Sequence, residues 1–246
     1  MTLAMATPLV GNYIYISNNM SAFDAATASN ASGSDSLVEP FDHVTGDRES
    51  RILFVAIAYG DVTDKLVGAT YNGTAITELY RLTVDAGRLW VGYLVAPDVG
   101  THEVNFSWSP EPVTVARALA ITFYNVQQSD PLGQTVGQTQ QNAIPASYSN
   151  SIDPDAASGL LVDFFHGGRG ISGNAQSPQT EVINLTGSWG GSVDNILGCS
   201  YKTHSGAITS MVWENLSWNS SAADQYQVIV ELNDKPVAQV LGGSII

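Results

Sequence analysis

Residues Arg88–Ser109, RLWVGYLVAPDVGTHEVNFSWS, repeat apolar side chains at every second position on both sides of a break, and this pattern constrains the fold more than any other stretch. Before the break Leu89, Val91, Tyr93 and Val95 share one face; after it Val104, Phe106 and Trp108 alternate with Glu103, Asn105 and Ser107. A period of two belongs to a β-strand with one buried face. Ala96-Pro97-Asp98-Val99-Gly100-Thr101 supplies the reversal, since Pro97 fixes φ and removes a donor while Gly100 accepts a positive φ. The spacing predicts two adjacent antiparallel strands. One half-buried hairpin is unstable alone in water, so the rest of the chain has to provide a facing sheet.

That cover is visible from Arg51 onward. Ile52–Tyr59 is apolar on both faces and reads as a central strand covered on both sides. Leu66–Tyr71 and Thr74–Thr83 flank Asn72-Gly73, two residues that tolerate the left-handed φ of a type I′ turn. Val113–Tyr124 places Val115, Leu119, Ile121 and Phe123 on one side and Ala116, Ala118 and Ala120 on the other; its β-branched and aromatic residues favour a strand over a helix. Gln134–Ser151, rich in Gln, Thr, Ser and Asn, reads as a long polar crossing between sheets. Leu160–Phe165, Glu181–Thr186, Val193–Thr203, Ala207–Trp213 and Gln225–Asn233 complete the set. The expected fold is all-β, a two-sheet antiparallel sandwich with jelly-roll connectivity first and an immunoglobulin-like order second.

The ends do not fit this pattern. Residues 1–50 are expected to form an extended N-terminal arm, because Ala22–Ser36 is an Ala, Ser, Asn, Thr and Gly tract with little to bury. Residues 51–233 form the expected sandwich and 234–246 a C-terminal tail. Tyr13 and Tyr15, in the short apolar stretch Asn12–Ser17, are candidate partner contacts, since such a segment is ordered only by docking on something.

Charge narrows the function. A net charge of −14 arises from 23 acidic residues against only 9 Lys plus Arg, and phosphate contacts need clustered basic side chains, so direct nucleic-acid binding is not expected. The longest apolar runs are too short for a membrane span, and MTLAMATPLVGNY has no basic leader before an apolar run, so neither a span nor a signal peptide is expected. Cys199 is the single cysteine, which excludes an intrachain disulfide framework and makes it a buried small hydrophobe of the strand Val193–Tyr201.

Candidate chemistry is sparse. His43, His102, His166 and His204 lie far apart in sequence and form no H-x-x-H or H-E-x-x-H pair, so no metal site is assigned. Asp163 and His166 invite a triad with a nearby serine, but there is no G-x-S-x-G elbow. His166-Gly167-Gly168-Arg169-Gly170 lacks the Gly-Lys-Ser/Thr ending of a phosphate loop and reads as a mobile turn. Asp61 with Asp64, and Asp153 with Asp155, offer oxygen ligands without the twelve-residue calcium-loop pattern, and read as solvated turn residues. Asn-x-Ser/Thr sites such as Asn105 and Asn215 follow from the composition. No catalytic residue and no cofactor is expected. Trp189, beside Gly190-Gly191, and Trp218, between Ser217 and Asn219, read as loop-borne, and an exposed tryptophan marks a partner, glycan or protein.

Four stretches, ATYNGTAITEL (69–79), YLVAPDVGTHEVNFSW (93–108), ALAITFYNVQQSDPLG (118–133) and GLLVD (159–163), together resemble a β-sandwich domain family. It is met in bacterial surface proteins and in the head-decoration and fibre proteins of tailed phages. The resemblance covers roughly 51–233 and carries no catalytic set. It implies a non-enzymatic virion structural protein on a capsid surface, with an extracellular carbohydrate-binding or adhesive module as the alternative. The partners it implies are further copies of the chain and the major capsid protein. Three-fold self-association matches many capsid surface sites, and a two-fold closure stays open.

Overall fold

The computed structural model describes residues 20–29, 40–61, 63–85, 87–109, 116–189, 193–218 and 223–236, and among these there is no helix. Nine strands lie before residue 126: β1 (Ala22–Ala28), β2 (Phe41–Thr45), β3 (Ile52–Gly60), β4 (Leu66–Tyr71), β5 (Thr74–Ala75), β6 (Thr77–Val84), β7 (Gly87–Val95), β8 (Gly100–Trp108) and β9 (Ala116–Tyr124). Eight follow: β10 (Leu132–Ala143), β11 (Tyr148–Ile152), β12 (Gly159–Gly168), β13 (Gly170–Ala175), β14 (Thr180–Trp189), β15 (Val193–His204), β16 (Thr209–Trp218) and β17 (Ala223–Leu232). The all-β antiparallel sandwich expected from the sequence is the fold.

Four sheets are present among the described residues, where two were expected. The inner pair are five-stranded, in the orders β1-β9-β3-β7-β6 and β10-β17-β12-β15-β14; the outer pair are β2-β8-β4-β5 and β11-β16-β13. Three apolar layers join them. Leu53, Val55, Ile57 and Trp90 of the first inner sheet pack on Leu66, Tyr71, Val104 and Phe106 of its outer sheet. The opposite face of β3, with Ile52, Phe54, Ala56 and Ala58, packs on Val162, Phe164, Val228 and Val230 of the second inner sheet. Beyond it, Phe165 meets Trp213 and Leu216, while Leu161 and Ile229 meet Met211 and Ile152. Ile52–Tyr59 is wholly buried because a layer covers each of its faces, as its two-sided apolarity predicts.

The Arg88–Ser109 stretch is corrected by this architecture. β7 pairs with β3 and β6, whereas β8 pairs with β2 and β4, so the two strands lie in different sheets and Ala96–Val99 carries the chain between layers. Ala96 (φ 50°) and Gly100 (φ 109°) take the left-handed conformations at its two ends. The Asn72-Gly73 reversal matches expectation, with φ of 48° and 74° and Tyr71 opposite Thr74. Gln134–Ser151 does cross between sheets, but only over the few residues between two strands. Most of it is β10, an edge strand on β17, and β11, an outer-sheet strand on β16; an edge strand with one face toward the core tolerates polar residues on the other.

The boundary expected at residue 50 also moves. β1 adds to β9 and β2 adds to β8, so residues 22–28 and 41–45 belong to the sandwich. The side chains of β1 are small, yet ladder hydrogen bonds to β9 hold it, and Phe23 packs on Phe123 and Tyr201 with ring centroids 6.1 and 5.9 Å apart. Tyr13 and Tyr15 lie outside the described residues.

Candidate functional site

A buried polar cluster lies where the second inner sheet meets its outer sheet. β12 alternates, so Leu161, Asp163 and Phe165 face the outer sheet while Val162, Phe164 and His166 face the centre of the stack. Asp163 is fully buried, and its carboxyl receives three neutral donors: Trp213 Nε1 at 2.7 Å, Gln227 Nε2 at 3.0 Å and Ser200 Oγ at 3.4 Å. Gln227 is fixed in turn, its Oε1 accepting Asn150 Nδ2 at 2.8 Å and its Nε2 also donating to Met211 O. Burial pushes the Asp163 carboxyl up to about 7, against the opposing pull of the three donors. The cluster ties two sheets together and can hold a proton.

His166 takes no part in it. Its Nδ1 bonds to Ile196 O at 2.9 Å and its ring stacks on Tyr226 with centroids 5.0 Å apart, on the face of β12 opposite Asp163. The two side chains therefore cannot act on one substrate, and burial holds the imidazole down to about 4. The glycine-rich stretch after it is not a mobile turn: Gly167 and Gly168 continue β12, and Arg169 alone, at φ 68°, makes the turn into β13. His43 is buried between Thr27 Oγ1 (2.9 Å) and Thr122 Oγ1 (2.7 Å), and burial lowers it to about 4 as well. Its cross-strand partner His102 sits edge-on to Tyr71 at 5.6 Å. Cys199 is buried as expected, its thiol pushed well up by burial. No group of three or more His, Cys, Asp or Glu among the described residues is placed to hold a metal ion.

The acidic pairs have other occupations. Asp61 meets Lys65 at 3.0 Å and Asp64 meets Arg81 at 2.7 Å, Arg81 also pairing with Glu78 at 2.6 Å. Asp155 accepts Gln134 Nε2, while its backbone N–H, with those of Gln134 and Ala156, donates to the buried Glu231. Glu231, which the sequence did not single out, thus anchors the chain between β11 and β12 onto β17.

Both tryptophans read as loop-borne end strands instead. Trp189 is the last residue of β14, paired with Val193. Trp218 is the last residue of β16; it is half-buried against Phe165 and Trp213, lies over Gly167, and donates Nε1 to Pro145 O at 2.9 Å. Its ring is committed to packing. The exposed face of β11-β16-β13 is instead a ladder of polar rungs: Ser151 with Ser210 (2.9 Å), Gln176 with Glu214 (2.8 Å), Asn174 with Asn215 (3.1 Å) and Ser172 with Ser217 (2.8 Å). The far outer sheet likewise exposes Asp42, Val44, Thr101, Glu103, Asn105 and Ser107. Comparison of the chain with protein-family models, curated proteins and solved structures gives no match.

Proposed function

We propose that this chain is a non-enzymatic virion structural protein, a decoration or cement protein or head-fibre component on a phage capsid surface. Its partners there are copies of itself and the neighbouring major capsid subunits. The observation that carries this reading is where the chemistry sits. Asp163, His43, His166, Cys199 and Glu231 are buried within the sheets, while the exposed face of β11-β16-β13 carries hydrogen-bonded polar rungs. An exposed face of fixed donors and acceptors suits contact with another protein. Jelly-roll sandwiches recur in capsid proteins and in lectins, and since a fold does not fix a function, the family resemblance supplies the preference for the first.

The test is co-purification. The chain is expected to band with intact particles through a density gradient at a fixed ratio to the major capsid protein, and to rebind particles stripped of it. Its absence from particles would end the capsid reading. Selective retention on a glycan array in its place would establish the adhesive alternative.

A further inference from the structure

We infer that this chain is two copies of one jelly-roll unit fused in tandem, residues 20–126 and 127–236, and that each unit's inner sheet is a docking face whose partner is a second copy of the unit. Taking β5 and β6 as one interrupted strand, each half has eight strands. Numbered within its half, the inner sheet reads 1-8-3-6-5 in both, and the outer sheet reads 2-7-4 in both, the first half adding β5 at its edge. Strands 1-8-3-6 and 2-7-4 are ordered as in a jelly roll, with strand 5 carried beside strand 6 in the inner sheet.

Three irregularities repeat with the order, and a chance likeness of sandwiches would not reproduce them; the second half adds two of its own, between Gln140 and Ala143 and between Ser172 and Asn174. A bulge near the start of strand 1 falls between Phe23 and Ala25 in one half and between Leu132 and Thr135 in the other. A bulge in strand 4 lies between Leu66 and Gly68, opposite Trp108 and Ser107; its counterpart lies between Gly170 and Ser172, opposite Trp218 and Ser217. A third interrupts strand 5 between Glu78 and Tyr80, and between Glu181 and Ile183. Sequence follows structure at these places. Thr77-Glu78-Leu79-Tyr80-Arg81-Leu82-Thr83 recurs as Thr180-Glu181-Val182-Ile183-Asn184-Leu185-Thr186, and Asn105-Phe106-Ser107-Trp108 recurs as Asn215-Leu216-Ser217-Trp218. Each unit also ties strand 2 to strand 8 with a buried polar pair, His43 to Thr122 and Asn150 to Gln227.

The edge contacts between the units have the reciprocity of a two-fold dimer. β10 lies over β6 as β1 lies over β14, and β17 lies over β6 as β9 lies over β14, while β12 and β17 also reach β7 without so close an exchanged counterpart. The two third strands meet at the centre, where Phe54 and Phe164 lie with ring centroids 5.6 Å apart. A unit alone would leave in water the largely apolar inner face of its sheet, β3 and β9 in one unit and β12 and β17 in the other. The partner that covers such a face has to carry the same one, which is what a second copy supplies. The covalent order of the copies matters little, because Ser21 N and Oγ bond to Asp234 Oδ1 at 2.7 Å and Val126 forms a bridge with Asp234, bringing the outer ends of the two described units to the junction between them.

The test is a circular permutant of the whole chain, joining Ile246 to Met1 and opening between Ser129 and Asp130, both exposed at the junction. It is compared with one opened between Asp98 and Val99, also exposed but inside the first unit. The junction permutant is expected to keep the parent's mass, circular dichroism and urea midpoint, and the internal one to lose midpoint. Equal midpoints, or a larger loss in the junction permutant, would overturn the inference. Should neither refold, hydrogen exchange of the natural-order chain carrying Phe54→Ala decides. Two cooperative blocks divided near residue 126 uphold tandem units, and a single block spanning all four sheets refutes them.

Discussion

Asp163→Asn is expected to change how folding stability depends on pH. The carboxyl is fully buried, its partners are three neutral donors, and burial raises it from the ordinary 3.8 to about 7. The folded chain therefore binds this proton more tightly than the unfolded chain does. Stability from this group is complete below pH about 4 and is lost as pH rises to about 7, beyond which both states are ionised and the contribution is flat. A displacement of about 3 pH units corresponds to about 4 kcal/mol, lost at a little over 1 kcal/mol per pH unit. An asparagine has nothing to titrate. In urea unfolding from pH 4 to 9, wild type should lose about 4 kcal/mol relative to the variant between pH 4 and 7, and then run parallel to it. A difference that stays constant over the whole range would mean that Trp213, Gln227 and Ser200 together keep the carboxylate ionised against its burial, and the reasoning would fail.

The histidines act with the opposite sign. His166 is held at about 4, below its ordinary 6.5, so its contribution is complete above pH 6.5 and is lost as pH falls toward 4; His166→Phe should remove about 2 kcal/mol of that acid-side loss, read from denaturation midpoints at pH 4.5 and 7. Gly198→Ala would set a methyl 2.1 Å from Cη2 of Trp213, a ring pinned through Nε1 to Asp163. A cost of about 1–3 kcal/mol or more is expected by thermal unfolding. Gly68→Ala, where nothing lies within 4 Å, should stay within about 0.5 kcal/mol. Phe106→Ala truncates a buried ring of the outer layer and should cost about 3–5 kcal/mol; a loss under about 1 kcal/mol would contradict the packing. A chain trimmed to Arg51–Asn233 loses β1 and β2, uncovering the edges of β9 and β8, and should aggregate in light scattering, whereas one trimmed to 20–236 should not.

The sequence by itself determined most of the apolar strands, and how many faces most of those bury. Period-two alternation is a local property: it marks Val104 and Phe106 as inward and Ile52–Tyr59 as covered twice, and the local φ tolerance of Asn72-Gly73 fixes its reversal. An isolated cysteine within an apolar strand was legible as buried on the same terms. Alternation says nothing about which strand lies alongside, because backbone hydrogen bonds are made without regard to side chain. Hence the Ala96–Val99 reversal passed for a hairpin turn when it is a passage between sheets, and polar β10 and small-residue β1 went unrecognised as edges. The number of layers was likewise set by tertiary contacts. So were the separation of Asp163 from His166 across one strand and the commitment of Trp218 to Pro145. The repeated Thr-Glu and Asn-x-Ser-Trp segments were in the chain throughout. Unequal loops give them different spacings in the two halves, so only the shared sheet order and bulge positions bring them into correspondence.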